Sequence, residues 1–213
     1  LTEEKTRESG YDAVTAICPR NDYSGYIPGA EHTVIKLVAD RESCRLLGCQ
    51  VAGKGDGIKR IDVAATAMKF GANLKDLADI DLGYAPAYST AIDALAHTAN
   101  VLRNEIQGIS HGLGPLELKE MLDSDTDFVL LDVRSHGEYT AQTLSDPRTV
   151  HIPVDELRRR YTELPRDKEI VAFCLIGVRA YRAESILRGL GFRDVRYLEG
   201  SLKAWPFPGY LTG

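Results

Sequence analysis

Four cysteines (Cys18, Cys44, Cys49 and Cys174) in 213 residues are too few for a disulfide framework, and a reducing, cytoplasmic setting fits them best. Cys44 and Cys49 lack a second Cys or His pair at zinc spacing, so no metal site is expected. No apolar run approaches membrane-spanning length and no secretory hydrophobic segment is present, so no membrane partner is expected. A basic stripe is also missing. The net charge is −5, the RRR run at 158–160 reads as a solvated helix face, and nucleic acid is not expected as a partner. "GKGDG" at 53–57 does not meet the G-x-G-x-x-G spacing, and no βαβ unit with a later acidic residue follows. It reads as a strand-to-helix turn.

What is present is 44% apolar and 27% charged, enough for a buried core in one large domain or two ordinary ones. The first residue is Leu1 and "LTEEKTRESG" is polar, which reads as a piece cut from a longer chain. Two halves then differ. In residues 32–53, two apolar runs flank "DRES", a hairpin signal. Residues 57–71 carry Ile58, Ile61, Val63, Ala64, Ala67 and Met68 at helical spacing, with Gly71 as a stop. A short helical turn, a proline-marked loop "DLGYAPAYST" and a final helix at 91–106 complete an α+β domain over 1–106 with an antiparallel sheet and helices. Glycine-rich "QGISHGLG" at 107–114 reads as a linker. From 115 to 213, buried apolar runs ("FVLLDV", "EIVAFC", "VRYLEG") alternate with helical stretches. That pattern predicts an α/β domain with a parallel sheet covered by helices on both faces.

Cys174 stands where the run "EIVAFC" stops, and ligands of open parallel sheets bind beyond the carboxyl ends of strands. The following loop "CLIGVR" opens a helix, so several backbone N–H groups can converge on one point with the helix N-terminus behind them. Such a cradle favours an anion, and so favours the nucleophilic thiolate of Cys174. Gly177 permits a turn that a Cβ would resist, and Arg179 adds a fixed charge and a rigid fork of donors. The plainer alternative is a cysteine serving as a small hydrophobe. The loop, glycine, arginine and helix together favour chemistry. Removing a thiol from such a loop is expected to cost about 1 kcal/mol or less.

Only four residues separate Cys174 from Arg179, whereas a cysteine phosphatase loop of this design uses five. The tighter ring suits one extra sulfur on the cysteine. With "LLDVRSHGEY", "HIPVDELRRRYTELPRDKEIVAFC" and "GFRDVRYLEGSLKAW", residues 114–205 resemble the rhodanese family of sulfurtransferases. The resemblance implies that Cys174 takes sulfur from a sulfane donor, carries it as a persulfide and passes it to a thiol. The loop residues Leu175, Ile176, Gly177 and Val178 and Arg179 would stabilise the persulfide anion. Asp132, Arg134 and Glu138 match the family's "DVR…E" segment and are expected to form structural ion pairs. The chain departs from the family before "IP": "AQTLSDPRTVHIP" carries an insertion, expected to reshape a loop near the mouth. The apolar Leu175, Ile176 and Val178 favour a larger persulfide or polysulfide over thiosulfate.

Residues 17–104 are similar to the dimerisation domain of pyridine nucleotide–disulfide oxidoreductases. The His-Pro-Thr-x-x-Glu motif of the glutathione reductase type is missing. "YAPAYSTAID" resembles instead the coenzyme A-disulfide reductase and NADH peroxidase branch. That resemblance implies a tyrosine, Tyr84 or Tyr88, near the flavin-site cysteine of the partner subunit, with Tyr26 of "SGYIPGA" matching a second one; packing in a loop or interface is the alternative for each. His97 reads as a core-edge or interface histidine. The two resemblances together imply the C-terminal part of a coenzyme A-disulfide or persulfide reductase, acting as a homodimer. The full-length enzyme would use FAD and NAD(P)H, with coenzyme A a further candidate, in N-terminal flavin and nicotinamide domains. No cofactor is expected on this chain alone. The rival reading is a non-catalytic dimerisation or docking module with a rhodanese fold.

Overall fold

The polar opening of the chain is helical. In the computed structural model, which describes residues 1–212, α1 (Glu3–Glu8) is capped by Thr2 and places Glu3 and Glu4 in its first turn, where the helix dipole favours negative charge. Three antiparallel strands follow in spatial order: β1 (Ala13–Asn21), β2 (His32–Asp40) and β3 (Leu46–Gly53). The central β2 alternates, so Thr33, Ile35 and Leu37 are buried on one face. Against that face α2 (Ile58–Lys69), α3 (Leu74–Ala78) and α4 (Ala94–Ile106) bring Ala64, Leu77, Leu95 and Leu102 into one core. Lys36, between the buried positions of β2, reaches Glu3 of α1 at 2.7 Å. The apolar stripe expected on α2 is only partly inside: Ile58 is 74% exposed, while Arg60 is buried with Ala64. The reason is a carboxylate waiting for that arginine, described below.

The chain divides into two units between Ile109 and Ser110. The second holds a five-stranded, wholly parallel sheet in the order β4-β8-β7-β5-β6. Its strands are β4 (Gly112–Leu113), β5 (Phe128–Asp132), β6 (Thr149–His151), β7 (Glu169–Phe173) and β8 (Val195–Leu198). Helices α5 (Pro115–Leu122), α6 (His136–Ala141), α7 (Leu157–Arg160) and α8 (Val178–Gly189) connect them. Every residue of β5 is buried, because each face carries its own core. Val129 and Leu131 pack with Leu157, Ala183 and Leu187 on one side; Phe128 and Leu130 pack with Leu118 and Trp205 on the other. The stretch 107–114 is therefore not all linker. Gly112 and Leu113 pair with Tyr197 and Leu198 as an edge strand too short to show a period.

The insertion after α6 is a brace. Leu144 bridges Leu211, Ser145 N–H donates to Tyr210 O at 2.7 Å, and Thr143 and Thr212 exchange hydrogen bonds. It also delivers Arg148 to the C-terminal end of α5, where orphan carbonyls need donors. Its guanidinium donates to the carbonyls of Met121, Leu122, Ser124 and Thr126 at 2.8–3.2 Å and lies 4.6 Å from the Phe128 ring centroid. Arg148→Met is expected to destabilise the second unit by on the order of 3 kcal/mol, since several carbonyls and Asp146 lose a charged partner. Urea unfolding checks this; an unchanged midpoint would mean that water replaces the arginine.

Candidate active site

Strand β7 ends at Phe173, and Cys174 is the next residue, at the carboxyl edge of the parallel sheet. The chain turns through Leu175, Ile176 and Gly177 into α8. Gly177 has φ +96°, a conformation that costs a glycine little and a side-chain residue much. Its N–H consequently points inward and donates to Cys174 Sγ at 3.2 Å. Cys174 is only 1% exposed and packs with the core on the α8 side, whereas Val178 is exposed and Leu175 and Ile176 are half-buried. The thiol is therefore not at a loop surface. Its removal leaves a small void, so the stability cost is larger than that expected for a loop surface.

Arg179 opens α8 and forms a bidentate pair with Glu138, 2.7 Å on each arm. Glu138 is held in turn by Ser135: it is the acidic member of a capping box at the start of α6, accepting from Ser135 N at 3.1 Å and Ser135 Oγ at 2.7 Å. The Arg179 hydrogen bonds, ahead of those from Ser135, pull the Glu138 carboxyl down to about 2, so the pair stays charged throughout the neutral range. Arg179 is held in its charged form by Glu138 first, with the Cys174 sulfur adding to it. Arg179→Lys keeps the charge but loses the fork. A roughly tenfold loss of sulfur-transfer rate is expected, because a point charge cannot hold both arms of Glu138 and face the loop. Unchanged kinetics in that variant would remove Arg179 from the site.

Asp132 and Arg134 form a separate, buried pair. Arg134 donates to both carboxylate oxygens at 2.6–3.1 Å, and Thr143 Oγ1 donates to the same carboxylate at 2.9 Å. Arg134 O meets His151 Nε2 at 2.9 Å. These bonds hold the carboxyl ends of β5 and β6 in place.

Ser201 carries no signal in the sequence beyond a Gly-Ser turn, yet it lies under the cysteine. It accepts the Cys174 N–H at 3.0 Å, and its own hydroxyl reaches Leu198 O at 3.2 Å. Leu202 N–H donates to Cys174 O at 3.2 Å and Lys203 N–H to Leu175 O at 2.9 Å.

The tyrosines belong to the first unit. Tyr26, Tyr84 and Tyr88 are 77%, 54% and 73% exposed. Their two loops are joined by Ser24 N–H donating to Pro86 O at 3.1 Å. Arg60, 1% exposed, fastens both loops from below: it pairs with Asp93 at 2.9 Å and donates to Asp22 O at 2.6 Å. Ser89 Oγ donates to Asp93 at 3.1 Å, and Asp93 also caps α4 through Leu95 N–H at 2.9 Å. His97 lies against Arg20 of β1, and burial, then that arginine, push its imidazole down to about 4, so it is neutral. Burial pushes the Cys49 thiol up to about 11. Among the described residues no group of three or more His, Cys, Asp or Glu could hold a metal, and no helix is long and apolar enough to cross a membrane. "GKGDG" joins an antiparallel strand to α2, and the loop that opens α8 is occupied by Cys174 and Arg179.

Comparison with known proteins divides the chain at the same place. Residues 1–96 match the pyridine nucleotide-disulphide oxidoreductase dimerisation domain, and residues 114–206 match the rhodanese-like domain. An NAD(P)H coenzyme A polysulfide/persulfide reductase of Pyrococcus horikoshii is 40% identical over 103 residues, 48% of this chain and 23% of that protein. The solved NAD-dependent persulfide reductase from A. fulgidus is 40% identical, with a TM-score of 0.86 over 96% of this chain and 36% of that one. The reduced CoADR-RHD of Bacillus anthracis is 30% identical, with a TM-score of 0.90 over 100% of this chain and 38% of that one. The chain thus spans well under half the length of these relatives. Residues 1–96 are thus similar to a pyridine nucleotide-disulphide oxidoreductase dimerisation domain and residues 114–206 to a rhodanese-like domain, the two stretches over which the chain is similar to solved persulfide reductases.

Proposed function

We propose that the second unit is a sulfurtransferase that carries one sulfane sulfur on Cys174, and that the chain serves as the loading end of a flavoprotein persulfide or coenzyme A-disulfide reductase. The observation that carries this reading is the Gly177 N–H aimed at Cys174 Sγ, at a helix N-terminus beside a charged Arg179. In the first step the Cys174 thiolate attacks the terminal sulfur of a persulfide or polysulfide. The donor's S–S bond breaks, its thiolate leaves with the bonding pair, and a new S–S bond makes Cys174 a persulfide. In the second step an acceptor thiolate attacks the outer sulfur and Cys174 leaves as thiolate. Electrons balance without an added oxidant. Negative charge resides on sulfur in both steps, where the Gly177 N–H and the helix N-terminus lower its energy.

The half-buried Leu175 and Ile176 and exposed Val178 suit a donor that presents a bare terminal sulfur on an apolar stem. Reductive release needs FAD and NAD(P)H. That chemistry is assigned to flavin and nicotinamide domains of a longer protein, with Tyr84, Tyr88 and Tyr26 facing the partner subunit's flavin site in a homodimer built on the first unit. The near-complete burial of Cys174 favours a second reading, a docking module without chemistry. Intact mass before and after polysulfide separates them. One added sulfur, removable by a reductant, is expected; no gain with any sulfane donor would leave the docking module.

A further inference from the structure

Ser201 is fully buried and has φ +48°, next to Gly200 at φ +65°. Left-handed backbone is unfavourable for a residue with a Cβ, and a second glycine would form this turn more easily. A serine is nevertheless there, and its hydroxyl has two partners. It accepts the N–H of Cys174 and donates to Leu198 O. The two residues that follow bind the carbonyls of Cys174 and Leu175. One short turn therefore grips the nucleophile's peptide on both sides.

The geometry points to Ser201 as a positioning residue for sulfur transfer at Cys174, an inference that rests on the sulfurtransferase reading above. Each buried N–H must have an acceptor. With the Cys174 N–H committed to Ser201, that amide cannot turn toward its own sulfur. The loop is then held so that the Gly177 N–H meets Sγ. Ser201 touches neither the donor nor the sulfur in flight. It acts through the direction of Cys174, and the hydroxyl, not the turn, is the part that matters.

Two substitutions separate hydroxyl from turn. Ser201→Gly removes the hydroxyl and relieves the left-handed backbone; Ser201→Ala removes the hydroxyl and keeps the strain. Three readouts are taken on wild type and both variants: the melting temperature, the rate of Cys174 alkylation by iodoacetamide, and sulfur transfer from polysulfide to a small thiol. Both variants are expected to lose roughly tenfold to hundredfold in kcat, with KM for the donor little changed. Alkylation should slow in both, although the glycine variant melts higher than the alanine one. A glycine variant with wild-type alkylation and transfer would overturn the inference and make Ser201 a turn residue only, while the sulfurtransferase reading stands. If wild type transfers no sulfur, that reading fails, and the alkylation rates alone decide for or against Ser201.

Discussion

Replacing Cys174 with alanine is expected to reduce sulfur transfer to the uncatalysed rate, a loss on the order of a thousandfold or more, because no other group in the loop can hold the sulfur covalently. The other three thiols do not substitute for it. Cys18 is buried in the first unit, Cys44 lies in the turn before β3 and Cys49 on it, and burial raises the Cys49 thiol to about 11. The fold should survive. Cys174 sits in the core on the α8 side, so the variant gives up the contacts of one sulfur and gains a small void, a cost of about 1–2 kcal/mol rather than the smaller value expected for a surface loop. Kinetics and melting are measured on the same preparation. Lost transfer with a modest fall in melting temperature fits a nucleophile. Lost transfer with loss of the fold would make Cys174 a packing residue.

Arg60→Met should destabilise the first unit by about 3–5 kcal/mol, because it leaves the buried Asp93 carboxylate without its counter-charge. That corresponds to a fall of roughly 20 °C in the melting temperature of a domain this size. The damage has a direction. Asp22 O loses a donor, so the loop carrying Tyr26 loosens, and Asp93 and Ser89 no longer hold the loop carrying Tyr84 and Tyr88. The double variant Arg60→Met, Asp93→Asn should recover part of the loss. Asparagine keeps the cap on α4 and removes the stranded charge. Calorimetry of the three variants checks this. A double variant no better than Arg60→Met would mean that the arginine's own packing and carbonyl contacts, rather than the charge pair, carry the stability.

Much of this was legible in the sequence, and the rest was hidden for definite reasons. The β2–β3 hairpin shows because the runs around "DRES" are long and one face is buried. β5 and β7 show because strands buried on both faces read as unbroken apolar runs, and Cys174 stands out because one of those runs stops at it. β1 is masked by Pro19, which disqualifies a central strand but is tolerated in β1 because that strand is at the sheet edge. Three-residue β6 and two-residue β4 are too short for any period. Ser135 and Glu138 spell a capping box, a signal within reach, but that Glu138 spends its remaining capacity on Arg179, 41 residues away, is a tertiary fact. Arg60 looks like a polar position on an amphipathic helix until its partner, 33 residues on, is known. Ser201, 27 residues from Cys174, is hidden for the same reason.

The most direct test of Cys174 as a sulfur carrier is a single turnover. The wild-type chain is loaded with polysulfide, freed of excess donor and mixed with a small thiol, and both the protein and the thiol are followed by mass. The account predicts that each chain loses one sulfur from Cys174 while one equivalent of thiol persulfide appears. Sulfur that stays on the protein, or that maps to Cys44 or Cys49 instead, would contradict it.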